Sequence, residues 1–318
     1  MTILFYLVKR ILYVIPVIFL LTIFVFAMIH LLPGNPVDII LAGEGAEDPS
    51  VRAALMKELG LDQPLPLQYG KWLWRAIQGN MGKSVYSQEE VFTLILRRFP
   101  ATLLLALAAT VISLLVAIPA GIISAVKRQT WADYAAMVFA LLGISLPSFW
   151  FGIILILFFA LWLGWLPSMG YLSPLEDFWG AWKFLILPAA ALGLRMAGVV
   201  TRMTRSSMLD ELGQDYVRTA RAKGLPERTV ILIHTLKNAL VPTVTIVGLQ
   251  FGTILGGSVV IEMVFSWPGV GQLLIEGILT RDYLVVQAAV LFIACFFVFV
   301  NLLIDLLYTV LNPRISLE

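Results

Sequence analysis

Few residues in this chain could do chemistry, and their spacing excludes most reactions. Ser124-Ala-Val-Lys127 matches a serine nucleophile with a lysine base by letters, but it closes an apolar run and has no companion motif. Chance explains it better. His30 and His234 lie far apart, and Cys295 is the only cysteine, so neither a histidine-pair metal motif nor a thiolate cluster can be assembled. No Gly-x-x-x-x-Gly-Lys-Ser/Thr loop is present, so the chain cannot hydrolyse ATP through a P-loop. The apolar runs are also poor in the carboxylates and histidines that a proton relay needs. The expectation is a protein that is no enzyme, holds no metal and binds no cofactor of its own. If it moves a solute, the energy comes from elsewhere.

The remaining polar signal is concentrated in residues 206 to 230, between two long apolar blocks. Asp215 to Lys223 reads as a short helix with Asp215 as its cap. Asp210, Glu211 and Asp215 lie toward the positive end of the peptide dipoles, and Arg218, Arg221 and Lys223 toward the negative end. Gly224 suits the left-handed position after a helix, and Pro226 discourages continuation. A helix of this length is marginal alone in water, so something must hold it. Three other features stand out. Gly248, Gly252 and Gly256, followed by Gly257 and Ser258, form a small-residue stripe that either lines a pathway or subunit seam or packs within one chain. Arg195 is ionisable inside an apolar run, so it is either a pathway residue or half of a structural ion pair with Asp305 as candidate partner, while Asp305 near the cytoplasmic end could instead snorkel. Glu262 sits at the end of its run, where interfacial solvation accounts for it.

The elements that must position these residues follow from hydropathy. With 60% hydrophobic and only 13% charged residues, against about a quarter charged in soluble domains, the chain reads as an all-α polytopic membrane protein. Its mean hydropathy of +0.92 agrees. A net charge of +2 gives no argument for nucleic acid. Spans are expected at 11–32, at 100–126, at 133–163 with an interruption at Pro147, at 185–204 with Arg195 inside, at 231–265 and at 282–311. Residues 33–98 read as an external subdomain with short amphipathic helices at Val51–Leu59 and Gln68–Gln78, either a lid or a partner contact. Trp162, Trp165, Trp179 and Trp182 suit an interfacial belt. Lys9, Arg10, Lys127, Arg128, Arg202, Arg205, Arg218, Arg221, Lys223, Arg228 and Arg314 then fall on one side, the cytoplasmic one by the positive-inside rule. Both termini, the 206–230 loop and the 312–318 tail share that side, and residues 99–311 form a five-helix core.

Several stretches together resemble one family. Tyr216-Val-Arg-Thr-Ala-Arg-Ala-Lys-Gly224, followed by Leu236-Lys-Asn-Ala-Leu-Val-Pro242, looks like the cytoplasmic signature of ABC-importer permeases. Aligned on Gly224, its usual Glu-Ala-Ala is Arg218-Thr219-Ala220, the departure typical of the peptide, nickel and glutathione branch. Leu32-Pro-Gly-Asn-Pro36, Leu59-Gly-Leu-Asp-Gln-Pro-Leu65, Ile144-Ser-Leu-Pro-Ser-Phe-Trp150, Trp267-Pro-Gly-Val-Gly271 and Asp282-Tyr283 resemble that branch too. The resemblance implies a type I importer permease in a prokaryotic inner membrane. It implies a second, related permease, two cytoplasmic ATPases that carry ATP and Mg, and an external substrate-binding protein. The solute would be a dipeptide or oligopeptide, with nickel chelates or glutathione as alternatives; an ion-coupled carrier is a distant third. It makes Asp215, Tyr216, Val217, Arg218, Thr219, Ala220, Arg221, Ala222, Lys223 and Gly224 a coupling helix, with Tyr216, Val217 and Ala220 buried in an ATPase groove. Arg218, Arg221 and Lys223 would pair with its acidic rim or attract lipid headgroups.

Overall fold

Long apolar runs, punctuated by proline and glycine, give helices throughout. The computed structural model describes residues 3–31 and 63–311. Its helices are α1 (Ile3–Leu31), α2 (Leu65–Ile77), α3 (Val91–Val126), α4 (Trp131–Ser145) and α5 (Ser148–Leu155, continued as a wider π-type turn over Ile156–Trp162). They are followed by α6 (Phe178–Leu212), α7 (Asp215–Ala222), α8 (Glu227–Val264), α9 (Val270–Leu279) and α10 (Tyr283–Leu311). The expected helix at Val51–Leu59, the Pro33–Pro36 break and the 312–318 tail lie outside the described residues.

Among the described residues four helices, α3, α6, α8 and α10, are long and apolar enough to cross a membrane. The α4–α5 pair passes the same test jointly, bent by 110°, and counts as a fifth if the two halves are one broken span rather than a re-entrant loop. Pro147 causes that bend by forcing Leu146 out of the helical region, to φ −81 and ψ 134. Helix α1, the expected first span, has a shorter apolar stretch among the described residues, Leu12–Met28. The amphipathic helix expected at Gln68–Gln78 forms as α2 and packs on α1. There Tyr69 and Trp72 meet Phe26, and the Tyr69 hydroxyl lies 2.8 Å from Thr22 Oγ1.

Several boundaries differ from the sequence expectation, and three of them bear on the site. Helix α3 starts at Val91 rather than Pro100, because Val91, Leu94 and Ile95 are buried against Val270, Leu273, Val285 and Ala288. The charges in this first stretch are paired, Arg97 with Glu89 at 2.6 Å and Arg98 with Glu276 at 3.5 Å. Helix α6 runs on through Leu212, so the first third of the polar stretch is its extension. Its 35 residues span roughly 52 Å, well beyond a hydrocarbon core of about 30 Å. The link after Phe265 holds a helix of its own, α9.

Helix α6 is the centre of the bundle, packed against α3, α4, α5 and α8. Glycines permit this: a Cβ at Gly193 would lie 2.6 Å from Ala109 O of α3, and one at Gly198 would overlap Ala140 O of α4. Asp177 caps its start, accepting from Gly180 N–H at 3.0 Å. At its α7 end, Arg205 of α6 holds Asp133 of α4 through two bonds, 2.7 and 2.9 Å. Ser124 and the Gln129 amide also donate to Asp133, so the Ser-x-x-Lys letters at 124–127 serve a structural bond.

Candidate functional site

Helix α7 is fixed from both sides. Gln214 occupies the cap position in extended conformation, and Asp215 is the first helical residue. Asp215 therefore does not cap; its carboxylate accepts from Arg218 at 3.2 Å. Val217 and Ala220 are buried, but against Leu212 and Val230 of the same chain. The expected burial of these two in a partner's groove is thus corrected: the apolar face is already covered. Tyr216, 37% exposed, donates to Glu211 at 2.6 Å and accepts from Asn238 at 3.1 Å. Burial first, and the Glu211 carboxylate second, push its pKa up, so the phenol stays a neutral donor. Arg221 bonds Glu227 at 2.7 Å. Helix α7 is therefore tied to α6 through Glu211 and Leu212, and to α8 through Glu227, Val230 and Asn238.

The opposite face of α7 carries Arg218, Thr219, Ala222 and Lys223, all exposed. Gly224 ends the helix at φ +77, with nothing within 4 Å of where a Cβ would stand. Only backbone strain, not crowding, reserves that position for glycine.

The glycine stripe of α8 divides. A Cβ at Gly248 would meet Ile304 at 2.6 Å and one at Gly252 would meet Phe297 at 3.0 Å, so both pack on α10 of the same chain. Gly256 has nothing within 4 Å, and Gly257 only Leu192 at 3.9 Å. Ser258 is buried, its hydroxyl donating to Leu255 O at 3.0 Å. Arg195 is exposed, and the candidate pair with Asp305 is not made: Asp305 bonds Arg10 of α1 at 2.7 Å.

Glu262 overturns its sequence reading most clearly. Far from being solvated, it is fully buried. Its Oε1 accepts from the Thr102 hydroxyl at 2.8 Å and its Oε2 from the Gln272 amide at 2.9 Å. Thr102 in turn accepts from the Val270 amide at 2.8 Å, and the Trp267 indole donates to Ala101 O at 2.9 Å. Gly269 and Gly271 admit the carboxylate, since a Cβ at either would collide with it. The Trp267-Pro-Gly-Val-Gly271 motif thus clamps α9 to α3 and α8 at the end remote from α7. A glutamate followed within ten residues by two glycines was the signal available in the sequence.

Among the described residues no group of His, Cys, Asp and Glu could hold a metal ion.

Residues 117–317 match the family described as the inner membrane component of binding-protein-dependent transport systems, and residues 3–106 match its N-terminal part. The chain is 44% identical over 310 residues to a putative peptide transport system permease protein of Brucella suis, with 98% of each chain covered. It is equally similar, over the same share, to the glutathione transport system permease protein GsiC of Escherichia coli K12. This chain belongs to the inner-membrane components of binding-protein-dependent transport systems.

Proposed function

We propose that this chain forms half of the translocation path of an ATP-driven importer of dipeptides and oligopeptides. A second, homologous but different permease supplies the other half, a substrate-binding protein delivers solute to residues 33–98 and the outer mouth, and two ATPases carry ATP and Mg in the cytoplasm. The chain crosses the membrane six times in the type I arrangement, with α1 as the first span and both ends cytoplasmic. Helix α7 with Gly224 is the coupling element, and the open part of the α8 stripe, at Gly256 and Gly257, borders the path or the partner permease. Glutathione is a second solute reading, favoured by the similarity to GsiC.

The observation that carries this reading is the two-sided character of α7. One face is locked to both α6 and α8, while the other presents Arg218, Thr219 and Lys223 to solvent. An ATPase gripping the exposed face would move the two helices together, and ATP can bias the path only through such a differential contact.

The test is the full complex in proteoliposomes, with its binding protein and a dipeptide. ATP-dependent uptake by the complex is expected; uptake by this chain without an ATPase would refute the importer reading. A Gly224→Val variant is expected to keep ATP hydrolysis but lose most uptake. A β-branched residue at φ +77 costs about 1–2 kcal/mol of local strain and shifts the lever's end. Unchanged coupling in that variant would remove α7 from the mechanism.

A further inference from the structure

Helix α6 carries three arginines along its second half, and only one is neutralised. Arg205 is held by Asp133. Arg195, at the midpoint of α6, and Arg202 are exposed. Neither has a hydrogen-bond or ion-pair partner among the described residues. The sequence offers them none nearby: no Asp or Glu occurs from Phe178 to Leu209 on α6, or from Leu236 to Ile261 on α8.

Arg195, Val199, Arg202 and Ser206 follow at the spacing that places residues on one helix face. Val199, Arg202 and Ser206 line an open cleft of about 340 Å³ with Ile246 of α8. Further along α8, Gln250 is partly exposed and Thr253 exposed, and Thr253 donates to the Gln250 backbone carbonyl at 2.8 Å. A guanidinium in the middle of a membrane-crossing helix is strongly disfavoured against lipid and needs water or an anion. The wall shared by α6 and α8 therefore presents two unpaired cations, Arg202 inside the cleft among Ile144, Val199, Met203 and Ile246, and Arg195 exposed two turns outside it.

We propose that Arg195 and Arg202 receive the carboxylate groups of the solute as it passes. This rests on the importer reading above. The two guanidinium-bearing positions are roughly 10 Å apart along the axis, so a carboxylate released by one can be taken up by the next. Neutral Gln250 and Thr253 solvate the peptide backbone without competing for the cations. Arginine matches carboxylate geometry with paired donors. The wall therefore favours anionic peptides over cationic ones after the binding protein has released them.

The experiment uses the complete complex in proteoliposomes and three peptides bound equally well by the binding protein: one with a glutamyl side chain, one neutral and one with a lysyl side chain. In Arg195→Gln and Arg202→Gln, uptake of the glutamyl peptide is expected to fall by about tenfold to a hundredfold. Uptake of the lysyl peptide should hold or rise, ATP hydrolysis should be unchanged, and Arg195→Lys should recover part of the loss. Equal losses for all three peptides would overturn the proposal. So would loss of the second permease from the purified variant complex, because the arginines would then pair with a carboxylate of that subunit. Failure of the unsubstituted complex to couple ATP hydrolysis to uptake of any peptide would instead sink the importer reading itself.

Discussion

A Glu262→Ala variant is expected to be among the least stable single substitutions in this chain. The change strands the Gln272 backbone amide and the Thr102 hydroxyl around a fully buried side-chain position. Each buried donor left without a partner costs about 1–3 kcal/mol, and the vacated side-chain volume adds to that. A loss of roughly 3 kcal/mol or more is anticipated, read as a lowered unfolding midpoint of the purified complex in detergent. Glu262→Gln should lose less, because its carbonyl can keep one of the two bonds while its amide faces the other donor. Thr102→Val tests the same knot from the other side, freeing the Val270 amide as well. An unshifted midpoint for Glu262→Ala would mean that the clamp between α3, α8 and α9 carries no stability.

Asp133→Ala is expected to cost a similar amount at the opposite end. Asp133 is 3% exposed and accepts from Arg205, Ser124 and the Gln129 amide, so its removal leaves a half-buried guanidinium and a buried hydroxyl without their acceptor. Breaking one side of a buried ion pair costs about 3–5 kcal/mol. Because the Arg205 side chain is 25% exposed, the lower end applies, about 3 kcal/mol. Much of this penalty is the stranded charge rather than the lost bond. The double variant Asp133→Ala/Arg205→Ala should therefore be less destabilised than the sum of the singles, by more than about 1 kcal/mol. Strict additivity in that cycle would show that the two groups do not act as a pair. The pair joins α4 to α6 just before α6 leaves the bundle toward α7, so uptake per ATP is worth measuring in the same variants.

Local features were legible without coordinates because they depend on neighbours in sequence. Apolar length marked the spans at α3, α6, α8 and α10, and Pro147 marked the bend between α4 and α5. Gly224 marked the end of α7, since only a left-handed residue closes a helix that way at no cost. The coincidence of several motifs pointed to the family that residues 117–317 match.

What needed the tertiary structure was every feature whose partner is distant in sequence. Glu262 and a lipid-interface glutamate look alike in sequence, because its environment comes from Thr102, 160 positions away, and from backbone amides whose direction no side chain announces. Asp305 could be matched on paper with Arg195, yet three-dimensional packing gives it Arg10. That exchange leaves Arg195 without a carboxylate among the described residues and, of the two readings open in the sequence, favours the path over the structural pair. Val217 and Ala220 looked like the face offered to a partner until Leu212 and Val230 were found to cover them. Hydropathy measures how strongly a residue avoids water, and it determined that these side chains would be buried. Which surface buries them is decided only where helices far apart in the chain meet.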